Sequence, residues 1–123
     1  MARIVAIDDS SFQRKMLTRI VKSEGHEVFE AADGHGGLFK IATHWPDIII
    51  TDLVMPKIGG LDILEVLHNK AIRIPVIVVS ADIQESTRDR CKRLGATAFI
   101  NKPIKASEVL ETIRDILDSL GKN

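Results

Sequence analysis

The sequence predicts an α/β fold: a doubly wound, five-stranded parallel sheet in the order 2-1-3-4-5, with helices on both faces. Two observations lead there. Five short apolar runs alternate with five amphipathic stretches, the pattern of repeated strand-helix units. The central runs, Ile48-Ile49-Ile50 and Val76-Ile77-Val78-Val79, are continuous in β-branched residues, as in strands covered on two faces. Parallel neighbours need right-handed crossovers. Five strands then suit 2-1-3-4-5, one of the two common doubly wound orders.

The strands are expected at about residues 3–8, 27–31, 47–52, 75–80 and 97–101. The second, Glu27-Val28-Phe29-Glu30-Ala31, alternates in polarity and so belongs at an edge. The first helix follows Ser10 or Ser11, either of which can cap it. Its apolar face is Phe12, Met16, Leu17, Ile20 and Val21. Leu38, Ile41 and Ala42 mark the second helix, which ends at Trp45-Pro46, with Trp45 packed at the helix end. Leu61, Leu64 and Leu67 mark the third, entered through Gly59-Gly60. Ile83, Thr87, Cys91 and Leu94 mark the fourth, with Asp82 as cap and Gly95 as stop. Val109, Leu110, Ile113, Leu117 and Leu120 mark the fifth, ended by Gly121. Gly34, Gly36 and Gly37 lack the spacing of a dinucleotide loop and are expected to loosen the start of helix two.

The 123 residues make one domain, residues 1–123, large enough to bury a core without disulfides. Lys plus Arg equals Asp plus Glu, 17 against 17, so there is no whole-chain attraction to nucleic acid or to a membrane surface. The lone cysteine, Cys91, falls on an apolar helical position and is read as a buried residue in a reducing compartment. No apolar run approaches the ~20 residues that cross a bilayer, and no signal peptide precedes the first strand. A cytoplasmic protein without membrane insertion is expected. His26, His35, His44 and His68 lack zinc-ligand spacing and are read as solvated surface residues.

Chemistry concentrates where the strands end. The first run stops at Asp8-Asp9, the third at Asp52, the fourth at Ser80 and the fifth at Asn101-Lys102-Pro103. In an open parallel sheet these C-terminal ends share one edge, where ligands bind. A lone Asp after a strand is usually a turn residue or a cap. Three carboxylates, a hydroxyl and an ammonium, each closing its own strand, point instead to a divalent cation and a phosphoryl group. Like charges gathered there raise one another's pKa. Mg²⁺ relieves the conflict, because it takes one or two carboxylates together with waters and phosphate oxygens.

These residues carry a resemblance. Asp8-Asp9-Ser10, Asp52-Leu53-Val54-Met55-Pro56 with Gly59-Gly60, Ser80-Ala81, Gly95-Ala96 and Lys102-Pro103 stand in the order and spacing of response regulator receiver domains. The resemblance covers nearly the whole chain, in the stand-alone, CheY-like form with its flavodoxin-like sheet order. It implies that Asp52 is the phosphoacceptor and that Mg²⁺ is held by Asp9, Asp52 and the Val54 backbone carbonyl, with Asp8 acting mainly through water. It implies further that Lys102 binds the phosphoryl oxygens, that Ser80 is the switch hydroxyl and that Phe99 is the switch aromatic. Val54 is apolar where many relatives are polar, and the resemblance implies that this position and that of Asp82, two past Ser80, together tune the hydrolysis of the acyl phosphate. The Lys102-Pro103 bond is expected to be cis, since X-Pro bonds alone adopt that form at modest cost.

The implied function is a two-component signalling switch, chemotaxis being one candidate pathway, and not a turnover enzyme. A sensor histidine kinase is the expected phosphodonor. A protein target is expected on the face made by helix four, strand five and helix five, where Gln84, Glu85, Arg88, Asp89, Lys92 and Arg93 form the outer side of helix four. The fifth helix runs nearly to the last residue, so no DNA-binding domain and no nucleic-acid partner are expected. Three rivals compete. A haloacid dehalogenase-type phosphatase would need Asp-x-Asp after the first strand. A flavodoxin-like FMN carrier would need a phosphate-cradling first loop, where Asp8-Asp9 would repel. A phosphorylation-independent adaptor would leave the acidic site without a role.

Overall fold

The computed structural model describes residues 1–81 and 84–122. Five strands, β1 (Arg3–Ile7), β2 (Glu27–Ala31), β3 (Ile48–Asp52), β4 (Val76–Ser80) and β5 (Ala98–Asn101), alternate with five helices. These are α1 (Ser11–Lys22), α2 (Gly34–His44), α3 (Gly60–Asn69), α4 (Glu85–Arg93) and α5 (Ala106–Ser119). All strand pairs are parallel and the order is β2-β1-β3-β4-β5, as predicted. The alternating strand β2 lies at the edge.

Strand alternation divides the core into two layers. Ile4, Ala6, Ile48, Ile50, Ile77, Val79 and Ile100 face Leu17 and Val21 of α1 and Val109, Ile113, Ile116 and Leu117 of α5. Val5, Ile7, Ile49, Val76 and Val78 face Ile41 of α2, Ile63, Leu64 and Leu67 of α3, and Cys91 of α4. Every residue of β3 and β4 is buried, which is why both strands read as unbroken apolar runs. Cys91 is fully buried, and that burial pushes its thiol pKa up.

Local signals set the helix ends. The Ser10 hydroxyl accepts from the Gln13 amide and so caps α1, and Asp33 caps α2 through the Gly36 amide. The Asp62 carboxylate accepts from the Gly59 amide at the start of α3. Gln84 occupies the cap position of α4 without a side-chain hydrogen bond. The expected cap Asp82 and the stripe residue Ile83 lie outside the described residues.

Several expectations need correction. Leu120, placed on the α5 stripe, is 44% exposed at the C-cap of that helix, and Ala42, placed on the α2 stripe, is exposed. Phe12 shares the helical stripe of α1 yet is 76% exposed, because the first turn borders the mouth of a cleft instead of the packed core. Trp45 is 61% exposed: it closes α2 in a left-handed conformation (φ 45°), its amide donating to the Ile41 carbonyl while its ring stays outside. Gly34 and Gly37 do not loosen α2. A Cβ on Gly34 would sit 2.4 Å from the Ile58 carbonyl oxygen, and one on Gly37 2.4 Å from Ile7 Cδ1, so both glycines permit close packing. The histidines divide: His35 and His68 are exposed, but His26 Nδ1 accepts from the Ala2 amide and His44 stacks on Phe29 at 3.7 Å.

Candidate phosphoacceptor site

The parallel register delivers the acidic and basic residues to one edge. β1 and β3 pair through Ile7 and Thr51, so the next residues, Asp8 and Asp52, emerge side by side. One carboxylate oxygen from each of Asp8, Asp9 and Asp52 lies within 4.8 Å of the others. Among the described residues this is the one group of three or more potential metal ligands. Asp8 and Asp52 are buried, at 5% and 8% exposure, and Asp9 is exposed. The hard oxygen donors fit Mg²⁺ and do not fit a soft metal.

Local hydrogen bonds hold the Asp8 carboxylate and the backbone of Asp8 and Asp52. The Ser10 amide donates to Asp8 Oδ1 at 2.9 Å. Arg14 Nη1 donates to the Asp8 carbonyl at 2.8 Å, while its Nε pairs with Glu30 at 3.0 Å. The Asp52 carbonyl accepts from the Thr51 hydroxyl at 3.0 Å. Gly60 lets α3 close on this strand end, since a Cβ there would stand 2.6 Å from the Asp52 carbonyl oxygen.

Lys102 enters from β5. Its amide donates to the Ser80 carbonyl at 2.9 Å, so the ends of β4 and β5 that carry Ser80 and Lys102 are joined through the backbone. The Lys102–Pro103 bond is cis, as expected. The ammonium reaches Asp52 Oδ2 at 3.1 Å and Asp8 Oδ2 at 3.5 Å, and it also donates to Gln13 Oε1. Burial raises the Asp52 pKa above the ordinary carboxylate value; Lys102 opposes the rise, and the charges of Asp8 and Asp9 add to it.

Ser80 is buried at the end of β4. Phe99 is half-buried one strand away, paired in register with Val78, and the Arg88 guanidinium covers its ring. Arg88 is therefore half-buried and not part of the solvated outer side of α4. The Val54 side chain is exposed. Gln13 and Arg14 were not anticipated from the sequence. Gln13 carries no periodic signal, and Arg14 reads as an ordinary polar position of an amphipathic helix. Of the expected site residues, Asp8, Asp9, Asp52 and Lys102 come together directly. Asp82 lies outside the described residues.

A cleft of about 210 Å³ opens beside Lys102 between α1 and the loop after β5, with Phe12, Met16 and Ile104 on its apolar wall. Among the described residues no helix is long and apolar enough to cross a membrane.

Comparison with known proteins agrees with this geometry. The family model described as the response regulator receiver domain matches residues 4–114. Protein PilH of Pseudomonas aeruginosa is 34% identical over 119 residues, covering 95% of this chain and 98% of that protein. In longer relatives the match occupies only part of the sequence, 16% and 49% of the length in two cases. A CheY-like receiver domain protein from Methanospirillum hungatei superimposes with a TM-score of 0.93 at 29% identity, over 99% of this chain and 98% of that one. Chemotaxis protein CheY4 of Vibrio cholerae gives 0.89 at 28% identity, over 95% and 99%. The chain belongs to the response regulator receiver domain family, the phosphorylation-dependent signalling switches of two-component systems.

Proposed function

We propose that Asp52 accepts the phosphoryl group, and that Mg²⁺ binds through Asp9, Asp52 and the Val54 carbonyl, with Asp8 contributing through water. The observation that carries this reading is the position of Asp52: buried at the end of β3, 3.1 Å from the one ammonium in contact with it and within 4.8 Å of two further carboxylates. The cation, when bound, neutralises charge on the acidic cluster and on the incoming phosphoryl oxygens.

The chain's own residues do the rest. An Asp52 carboxylate oxygen attacks phosphorus as the nucleophile, the P–N bond of the donor phosphohistidine breaks, and the imidazole leaves with that electron pair. Arg14 and Ser10 fix Asp8 from the backbone side. Lys102 leaves its contact with Asp52 Oδ2 for a phosphoryl oxygen as charge moves outward. The Ser80 hydroxyl hydrogen-bonds the phosphoryl group once it is in place. The catalytic work is positioning and charge stabilisation. The donor is a phosphohistidine on a sensor kinase. Ser80, drawn toward the phosphate, vacates space that Phe99 fills, and the face formed by α4, β5 and α5 changes its affinity for a protein target. Chemotaxis is one pathway of this chemistry, through likeness to CheY4. We assign no turnover of an external substrate, and no nucleic-acid contact, to this domain, residues 1–123, and place it in the cytoplasm with its kinase.

The test is uptake from acetyl phosphate with Mg²⁺, read as intact mass. One added phosphoryl group, labile to hydroxylamine and lost when chelator replaces Mg²⁺, is expected. No uptake, or uptake indifferent to chelator, overturns the reading.

A further inference from the structure

We propose that Gln13 is a positioning residue for Lys102. It shares the ammonium with the carboxylates and so keeps their oxygens available to a cation and to the incoming phosphoryl group. The inference rests on the function proposed above.

The two residues stand 89 positions apart, and α1 brings them together. Lys102 is 17% exposed at its side chain, so its ammonium has little water and must take its acceptors from the protein. It has three: Asp52 Oδ2 at 3.1 Å, Asp8 Oδ2 at 3.5 Å, and Gln13 Oε1, the shortest contact of the set. Two of these acceptors are the groups that a divalent cation needs. An ammonium held by them alone would collapse into the acidic cluster and compete with the metal. A neutral amide oxygen on the far side holds the lysine without adding charge that would bind it irreversibly. When the phosphoryl group arrives, Lys102 exchanges Asp52 for a phosphoryl oxygen and keeps Gln13 as its fixed anchor. The amide is suited to this task because it hydrogen-bonds at any pH and its helix is capped one turn earlier, where the Ser10 hydroxyl accepts from the Gln13 backbone amide.

The position is open to test because Gln13 makes no described contact with Asp8, Asp9 or Asp52. Any effect of its side chain on the metal must travel through Lys102 or through the fold. A double-mutant cycle separates these routes. The full chain is prepared as wild type, Gln13→Leu, Gln13→Ala, Lys102→Ala and Gln13→Leu/Lys102→Ala, and folding is checked by melting. Mg²⁺ affinity is measured by calorimetry without phosphodonor, and the initial rate of uptake from acetyl phosphate by intact mass. With Lys102 present, Gln13→Leu and Gln13→Ala are expected to slow uptake about 10-fold, near the lower end of the value of one charge-assisted hydrogen bond, and to weaken Mg²⁺ binding by a smaller factor of about 3, because that effect is indirect. In the Lys102→Ala background, Gln13→Leu is expected to change neither. Equal losses in both backgrounds, or wild-type values in Gln13→Leu, would overturn the assignment. If no variant, wild type included, takes up phosphate, the phosphoacceptor reading fails. The Mg²⁺ affinities then still decide whether Gln13 acts through Lys102.

Discussion

The guanidinium of Arg88 on α4 lies over the ring of Phe99 on β5, its Cζ 5.0 Å from the ring centroid. Among the described residues the buried Arg88 Nε has no hydrogen-bond partner, and the π face is the contact seen at this end of the side chain. The pair ties the proposed switch aromatic to the helix of the proposed output face. A contact of this type contributes about 0.5–1 kcal/mol at a partly exposed site. Arg88→Ala is expected to raise the inward population of Phe99 about 2- to 5-fold before any phosphorylation. Ring resonances of Phe99, with and without a beryllofluoride phosphoryl mimic, report that population. An unchanged ring environment in Arg88→Ala would show that the contact does not hold the switch.

Ser80 is the other half of the proposed coupling. A hydroxyl that bonds the phosphoryl group only in the activated form supplies the difference in free energy that shifts the equilibrium. Ser80→Ala is expected to take up phosphate on Asp52 yet to lose about 10-fold of the phosphate-dependent gain in target affinity, the value of one hydrogen bond to a charged group. Comparison of target binding with and without beryllofluoride measures it. A full gain in Ser80→Ala would remove Ser80 from the switch.

The central strands were legible because a sheet buried on both faces is written in near-continuous β-branched residues, and β2 because an edge strand alternates. The site itself was legible because Asp8, Asp52, Ser80 and Lys102 each lie at the end of such a run or just past it. What escaped was what depends on neighbours. Periodicity assigns Phe12 to an apolar stripe, but nothing in it says that this turn of α1 borders a cleft. Trp45 reads as a helix end, and only the left-handed turn decides that its ring stays outside. Gly34 and Gly37 are indistinguishable in sequence from loose glycines. Their role appears only when Ile58 and Ile7 are seen against them. Gln13 meets Lys102 across 89 residues, a contact that no local pattern encodes.

Gly34 gives a direct stability test of that packing. Its added Cβ would meet both the backbone oxygen and the side chain of Ile58, so relief requires the chain after β3 to move. Gly34→Ala is expected to destabilise by about 1–3 kcal/mol, despite alanine's better helix propensity. Gly121→Ala is a poor control because of its φ of 70°, so Ser107→Ala on the exposed side of α5 serves. Denaturant midpoints measure both. A stabilised Gly34→Ala would contradict the close approach.

His26 gives the pH dependence. Burial lowers its pKa; Glu24 opposes the shift and the N-terminal amine adds to it. The folded state therefore binds this proton less well than the unfolded chain does. The stability associated with neutral His26 is full above the unfolded value of 6.5 and is lost as pH falls through the lower folded value. Protonation also removes the Nδ1 acceptor for the Ala2 amide. Stability is expected to fall on acidification from pH 7, with a shallower fall in His26→Gln. Parallel slopes for the two proteins, from melting at a series of pH values, would rule His26 out.

Phosphate uptake by Asp52 tests the account most directly. Wild type and Asp52→Asn are incubated with acetyl phosphate and Mg²⁺, and intact mass is followed over time. The expected result is one phosphoryl group on the wild type and none on Asp52→Asn, because a carboxamide is a poor nucleophile where the carboxylate attacks. Labelling of Asp52→Asn at the wild-type rate would contradict the assignment and move the chemistry to another residue.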